Sequence, residues 1–274
     1  MADKEAFTIA TFRSPFIGDD GAVVGNAVYS MDAFIEGTHF LRSWMTPAQI
    51  GRKAMLVNIS DAVAMNAEPR YALVTLGLPQ EMSEAEIEEL TGAMQRTAKA
   101  FGCEIIGGDT VKSDVLHISV ALISHSDAPL LRTGLKEGDM LAFTGTLGES
   151  KRHLEALFRG EKIPETSRFY TPTLRGEFIA QARPFLRAGM DISDGLFCDT
   201  NKLLDLNDTG VTLLHHIDNE TGLSGEEYEM LIAFAPQHKT HIYQIAKKTH
   251  TPLTVFARIT RNGFRLPCKG HHFS

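Results

Sequence analysis

Four short segments of the sequence set carboxylates beside glycine or at the ends of apolar runs: Gly18-Asp19-Asp20-Gly21, Ser30-Met31-Asp32, Gly107-Gly108-Asp109-Thr110 and Asp191-Ile192-Ser193-Asp194-Gly195. Each alone reads as a turn, because Asp and Gly favour turns on backbone grounds. A fifth acid is different. In KAMLVNISDAVAMNAE, residues 53–68, Asp61 is the only charge between Lys53 and Glu68. Asp is rarely buried alone, and two acids about 4 Å apart repel by about 4 kcal/mol at an effective dielectric of about 20. An apolar helix with one carboxylate therefore points first to a bound cation, with an Arg or Lys partner as the structural alternative. If the acids converge, an oxygen-only site suits Mg2+ or Mn2+, and Mg2+ commonly joins carboxylates to substrate phosphates. No Gly-x-x-x-x-Gly-Lys-Ser/Thr loop and no His-Arg-Asp or Asp-Phe-Gly kinase signature occurs. Gly145-Thr146-Leu147-Gly148 could offer backbone amides to a phosphate, with a plain strand-to-helix connection as the ordinary alternative.

The elements that must carry these residues are readable in the first half. Residues 27–32 read as a strand, and Thr46-Pro47-Ala48-Gln49 supplies an N-cap, a first-turn proline and a capping-box Gln for a helix to about Asn66. A strand at 71–78 precedes a second capping box, Ser83-Glu84-Ala85-Glu86, and Ile87, Leu90, Met94, Ala98 and Phe101 follow at helical spacing. Cys103 to Ile106 leads into a predicted turn at Gly107-Gly108-Asp109, and Leu116, Ile118, Val120 and Leu122 alternate as in a half-buried strand. The second half is less regular: strands are expected at 141–144, 230–234 and 254–259 and helices at 154–158, 196–206 and 240–248, while 159–189 has no clear period.

The chain has 274 residues, 43% hydrophobic and 22% charged, which is globular composition and predicts two modest domains, 1–126 and 127–274, divided near a composition change at 124–129. The net charge of -7 argues against a chain that coats nucleic acid, though not against phosphates bound through metal ions. No apolar run spans a bilayer and the first residues lack a signal-peptide pattern, so a cytoplasmic location without membrane attachment is expected. Cys103, Cys198 and Cys268 are far apart and are expected as buried, unbonded side chains. The adjacent pairs His215-His216 and His271-His272 read as surface residues.

IGDDGAVV, YSMDAFIEGTHF, GRKAMLVNISDAVAMNAEPRYALVTLGLP, IIGGDTVKS, MDISDGLFCD, SGEEYEMLIAFAP and the terminal KGHHF resemble, in order and spacing, the thiamine-monophosphate kinase family. That family belongs to an ATP-using superfamily with aminoimidazole ribonucleotide synthetase and selenophosphate synthetase. The resemblance implies an α+β fold of two α/β sandwich-like domains, the first pairing with a second copy into a dimeric β-barrel. It implies phosphorylation of thiamine monophosphate by ATP with several Mg2+ ions. Residue by residue, it makes Asp20, Ser30, Asp32, Asp61, Asp109 and Asp191 metal ligands, with Asp194 as a further candidate. Gly108, Asp109, Arg132 and Ser193 match ATP contacts, Asp109, Arg132 and Asp194 match the catalytic centre, and His39 and Glu226 match thiamine-phosphate contacts.

Three positions depart from the family pattern. Met31 stands where Thr is common, Glu227 where Asp is usual, and Cys268 where an aromatic residue precedes the Lys-Gly, leaving Phe264 as an alternative stacking partner. On residue type alone, His39 reads as a structural histidine and Arg132 as an exposed loop charge. The alternatives to the kinase are another superfamily member with a different acceptor, and a nucleotide-binding dimer that has lost catalysis.

Overall fold

The computed structural model describes residues 4–268. In chain order the first half runs α1 (Lys4–Phe12), β1 (Ala22–Val24), β2 (Ala27–Ile35), α2 (Pro47–Ala64), β3 (Glu68–Leu78), α3 (Glu84–Ala100), β4 (Glu104–Lys112) and β5 (His117–His125). The second half runs β6 (Met140–Thr144), α4 (Glu149–Phe158), α5 (Gly176–Ala182), β7 (Leu186–Asp191), α6 (Leu196–Leu206), β8 (Gly210–Leu213), α7 (Asn219–Gly222), β9 (Met230–Phe234), α8 (Lys239–Lys248) and β10 (Leu253–Thr260). Each half contributes one five-stranded sheet, ordered β1-β2-β5-β3-β4 and β7-β9-β6-β10-β8. The named pairs are antiparallel except β3 with β4, which are joined by α3 and lie parallel.

Both predicted capping boxes form: the Thr46 and Ser83 side chains accept from the amides of Gln49 and Glu86, whose own side chains return to the cap amides. Helix α2 is buried along almost its whole length because it packs on α3 and the first sheet on one side and on β7 and α5 of the second half on the other. A helix enclosed on all sides must be apolar all round. That is why the 53–68 segment carries so few charges, and why those it keeps sit where the two halves meet.

Two expectations are overturned. Gly107-Gly108-Asp109 is not a turn but the middle of β4, hydrogen-bonded along β3 from Tyr71 to Leu78. Gly108 adopts φ +153, and a Cβ there would lie 1.7 Å from the Val74 carbonyl oxygen, so glycine is required by the approach of β4 to β3. The cysteines are not all unbonded: Cys103 is free and buried, but Cys198 on α6 forms a disulfide with the exposed Cys268 across 70 residues of sequence. The juxtaposition arises because Asn201 exchanges hydrogen bonds of 2.8 and 2.9 Å with the Leu266 backbone, laying the C-terminal segment on α6. His215 and His216 are exposed. The terminal KGHHF, including His271 and His272, lies outside the described residues.

Candidate active site

Asp20 in the loop before β1, Asp61 on α2 and Asp191 at the end of β7 each turn a carboxylate oxygen to one point, all within 4.8 Å of one another. Burial, and then repulsion from Asp32, Asp191 and Asp20, holds the Asp61 carboxyl well above its ordinary 3.8. Burial and Asp20 do the same to Asp191, although Ser60 Oγ donates to Asp191 Oδ2 at 2.5 Å. Burial also raises Asp20, against the pull of Arg132. Three acids that obstruct one another's ionisation, with one arginine among them, form an all-oxygen donor set of the kind that could hold a hard cation. Asp32 is held beside them by its amide, which donates to Asn58 Oδ1 at 2.9 Å, and Ser30 lies on the same inward-facing side of β2.

Arg132 lies in the loop between β5 and β6 but is not the exposed charge expected from its residue type. Its guanidinium donates to Asp20, its amide donates to Asp19 Oδ1 at 2.6 Å, and its side chain is 19% exposed. Burial opposes its charge, but Asp20 more than restores it, so its pKa stands above the ordinary arginine value. Asp194 lies outside the three-acid cluster. It pairs with Lys202, whose ammonium also reaches Asp199 Oδ1 at 3.1 Å, while Asp199 Oδ2 accepts from the Asp194 amide. Burial lifts the Asp199 carboxyl to about 6.

A second group of residues forms an open pocket of about 110 Å³ lined by His39, Trp44, Phe158 and Glu226, among others. His39 Nδ1 accepts from the Ile35 amide at 3.0 Å, which leaves Nε2 as the proton-bearing atom of the neutral ring. Glu226 receives the Nζ of Lys53 at 2.7 Å; Lys53 is wholly buried and lies 4.0 Å from the Phe169 ring centroid. The Glu226 segment runs beside the Asp191 loop, since the Glu226 amide donates to Ser193 O at 2.7 Å and the Tyr228 amide to Ile192 O at 2.9 Å. Glu226 and Tyr228 both hold φ +53, a conformation side chains rarely adopt and one that concentrates at functional sites. Tyr228 is buried among Glu226, Asp32, Asp191 and Asp61, and burial first and those charges second keep its phenol protonated far above the usual range.

The structure brings Asp20, Ser30, Asp32, Asp61, Asp191 and Arg132 into one region, with Ser193, His39 and Glu226 adjoining. It does not bring Asp109 there. Asp109 pairs in register with Thr75 on the far strand β4, three strands from Asp32, and shares the outward face of the sheet with Tyr71, Leu73 and Thr75. Two amides of the 145–148 loop are already engaged, Gly145 donating to Pro252 O at 2.8 Å and Gly148 to Glu227 Oε1 at 2.7 Å. Lys53, Ser60 and Lys202 escaped sequence reasoning. Lys53 served there only as the edge of an apolar run, yet a charge inside an enclosed helix was the available signal.

The AIR synthase related protein N-terminal domain matches residues 18–125. The thiamine-monophosphate kinase of Aquifex aeolicus (strain VF5) is 33% identical over 231 residues, 80% of this chain and 75% of that protein. That of Bacillus subtilis (strain 168) is 29% identical over 270 residues, 87% of this chain and 83% of that protein. A solved structure described as AaThiL complexed with AMPPCP and TMP superposes with a TM-score of 0.86 at 27% identity, covering 100% of this chain and 99% of that one. The E. coli hydrogenase maturation protein HypE, at 17% identity and TM-score 0.73, shares the fold. Identity of 33% over three quarters of the Aquifex enzyme, on a common fold with the acids converged, establishes that the chain belongs to the thiamine-monophosphate kinase family.

Proposed function

We propose that the chain transfers the γ-phosphoryl group of ATP directly to a phosphate oxygen of thiamine monophosphate, releasing ADP and thiamine diphosphate. The observation that carries this reading is the convergence of Asp20, Asp61 and Asp191 beside the pocket of His39 and Glu226. The attacking phosphate is already largely ionised near neutral pH, its second pKa being about 6, so no strong base is required. The obstacle is repulsion between two polyanions. Asp20, Asp61 and Asp191, with Asp32 and Ser30 alongside, would hold Mg2+, which when bound supplies neutralising charge to both phosphate groups. Arg132 adds a permanent cation held in place by Asp20. In the acceptor pocket, His39 lines the wall beside the acceptor phosphate, and Glu226, steadied by Lys53, faces the cationic thiamine. Asp194, neutralised by Lys202, serves to brace the turn before α6 against the first turn of that helix.

The proposal includes two domains, 1–126 and 127–274, and a homodimer formed by the outer face of the first sheet, where Tyr29, Met31, Tyr71, Leu73 and Ile106 are exposed together. Met31 therefore faces a partner. In such a dimer Asp109 of one copy serves the site of the other, since it faces away from the acids of its own chain. The test is direct: purified protein, ATP, Mg2+ and thiamine monophosphate yield ADP and thiamine diphosphate in equal amounts. Absence of thiamine diphosphate with either Mg2+ or Mn2+ overturns the reading.

A further inference from the structure

The disulfide joins two cysteines of unequal exposure. Cys198, the third residue of α6, is 5% exposed, while Cys268 lies on the surface. The bond closes a loop that contains β8, α7, β9, α8 and β10, and the segment that brings Cys268 back is docked without its help. Leu266 is buried in the apolar cluster of the second sheet, and its backbone exchanges two hydrogen bonds with Asn201. Arg265 donates to Asp205 Oδ1 at 2.8 Å and to Thr209 O at 2.7 Å, and Phe264 pairs through its backbone with Val211. Breaking the bond therefore leaves residues 264–266 in place, so the two sulfurs stay within reach of one another and the bond can re-form.

The turn of α6 that carries Cys198 also braces the segment before it. Gly195 caps α6 without a side chain, and directly after Cys198 comes the wholly buried Asp199, whose Oδ2 accepts from the Asp194 amide at 3.0 Å. Lys202 ties Asp199 to the Asp194 carboxylate. In the same segment the Ser193 carbonyl accepts from the Glu226 amide at 2.7 Å. The disulfide thus fastens the first turn of α6 to the C-terminal segment at the place where that turn holds residues 193–195.

We propose that Cys198 and Cys268 form a reversible thiol–disulfide exchange site, and that their bond sets how rigidly α6 holds the 191–195 turn. One thiolate of a small dithiol attacks the exposed Cys268 Sγ. A mixed disulfide forms there as the Cys198–Cys268 bond breaks, and the electron pair leaves on Cys198 Sγ. Cys198 is the favoured leaving group, because the N-terminus of α6 stabilises a thiolate in its first turn and the neighbouring Asp199 is already matched by Lys202. The second thiolate of the dithiol then attacks its own partner sulfur in the mixed disulfide and releases Cys268. The dithiol departs as its disulfide, and the protein has gained two electrons and two protons. This inference goes beyond phosphoryl transfer and stands on the placement of the two cysteines; only its effect on nucleotide affinity uses the kinase reading.

The test incubates the native full-length protein with oxidised glutathione or with dithiothreitol, quenches it in acid, unfolds it and labels it with N-ethylmaleimide. Intact mass counts one label after glutathione disulfide and three after dithiothreitol, the change reaching completion within minutes and without denaturant. Reduction speeds hydrogen exchange of the peptide covering 191–202 about fivefold and lowers Tm by about 5 °C. The Cys268→Ser variant, altered at the surface, shows the faster exchange in both reagents, and Cys103→Ser responds as the parent does. Because Ser193 matches an ATP contact of the family, reduction also raises KM for ATP about threefold. A count that stays at one until urea is added makes the bond a structural staple, and three labels after glutathione disulfide show that the pair does not bond; either result overturns the exchange site. Unchanged exchange of 191–202 in the reduced protein, or an unchanged KM for ATP, overturns its control of the turn. Absence of turnover sinks the kinase reading alone, because mass and hydrogen exchange decide the site without it.

Discussion

Asp61 was the most legible residue of the site, because a single carboxylate in an apolar helix is costly unless something of opposite charge meets it. What meets it is a group of like charges, offset only in smaller part by Arg132. Its pKa is raised in the fold, so its ionisation withdraws stability as pH climbs past the unfolded value of 3.8 toward the higher native one. At pH 7.5 without metal, the Asp61→Asn variant therefore melts no lower than the parent. It loses the rise in Tm that Mg2+ gives the parent, and its turnover falls at least about 100-fold. A variant that melts several degrees lower yet keeps its turnover makes Asp61 structural. The cysteines show the limit of residue-scale reading, since nothing in a separation of 70 residues announces a bond. Burial pushes the Cys103 thiol up to about 11, so at pH 8 the native protein takes up no iodoacetamide. Unfolding in urea without reductant exposes one reactive thiol, and unfolding with reductant exposes three, counted by intact mass.

At the scale of elements, regular pattern decided what was legible. The capping boxes of α2 and α3, the alternation of β5, and the bounds of α6 and β9 follow from period and cap chemistry. Strands β7 and β8 and the α5 helix did not, because β7 is buried on nearly every residue and the 159–189 stretch is organised by side chains rather than by period. Its arginines are the organisers. Arg175 grips the fully buried Glu229 with two bonds of 2.7 Å, and Arg168 joins the same carboxylate at 2.7 Å while reaching Glu227 at 3.0 Å. Loss of one member of a buried pair leaves charge without compensation. Arg175→Met is expected to lower unfolding free energy by about 3 kcal/mol in urea titrations, and adding Glu229→Gln recovers part of that cost. A loss below about 1 kcal/mol, typical of exposed pairs, would show that Arg168 alone suffices.

For the whole molecule, the motif likeness makes Asp109 a metal ligand and an ATP contact, and it carries no information on which copy of the chain the residue serves. The register gives its place in the sheet. Strand spacing of about 4.8 Å puts Asp109, three strands from Asp32, on the order of 14 Å away, and on the opposite face of the sheet. That outer face is a contiguous apolar patch, because Tyr29 and Tyr71 both pair with Ile123 while Met31 and Leu73 both pair with Ala121. Charge placed there should divide a dimer without touching the core: Met31→Glu with Leu73→Glu elutes at monomer mass by light scattering, keeps its circular dichroism and loses turnover. Complementation then decides whose site Asp109 completes. Asp61→Asn and Asp109→Asn homodimers are each inactive. A mixed dimer assembles one site with both carboxylates intact when Asp109 acts across the interface, and none when it acts within its own chain. Co-expressed, differently tagged copies purified through both tags should therefore recover about half the parental turnover per dimer if the two sites work independently. An inactive mixed dimer, with both tags present in equal amounts, would confine Asp109 to its own chain or to the sheet.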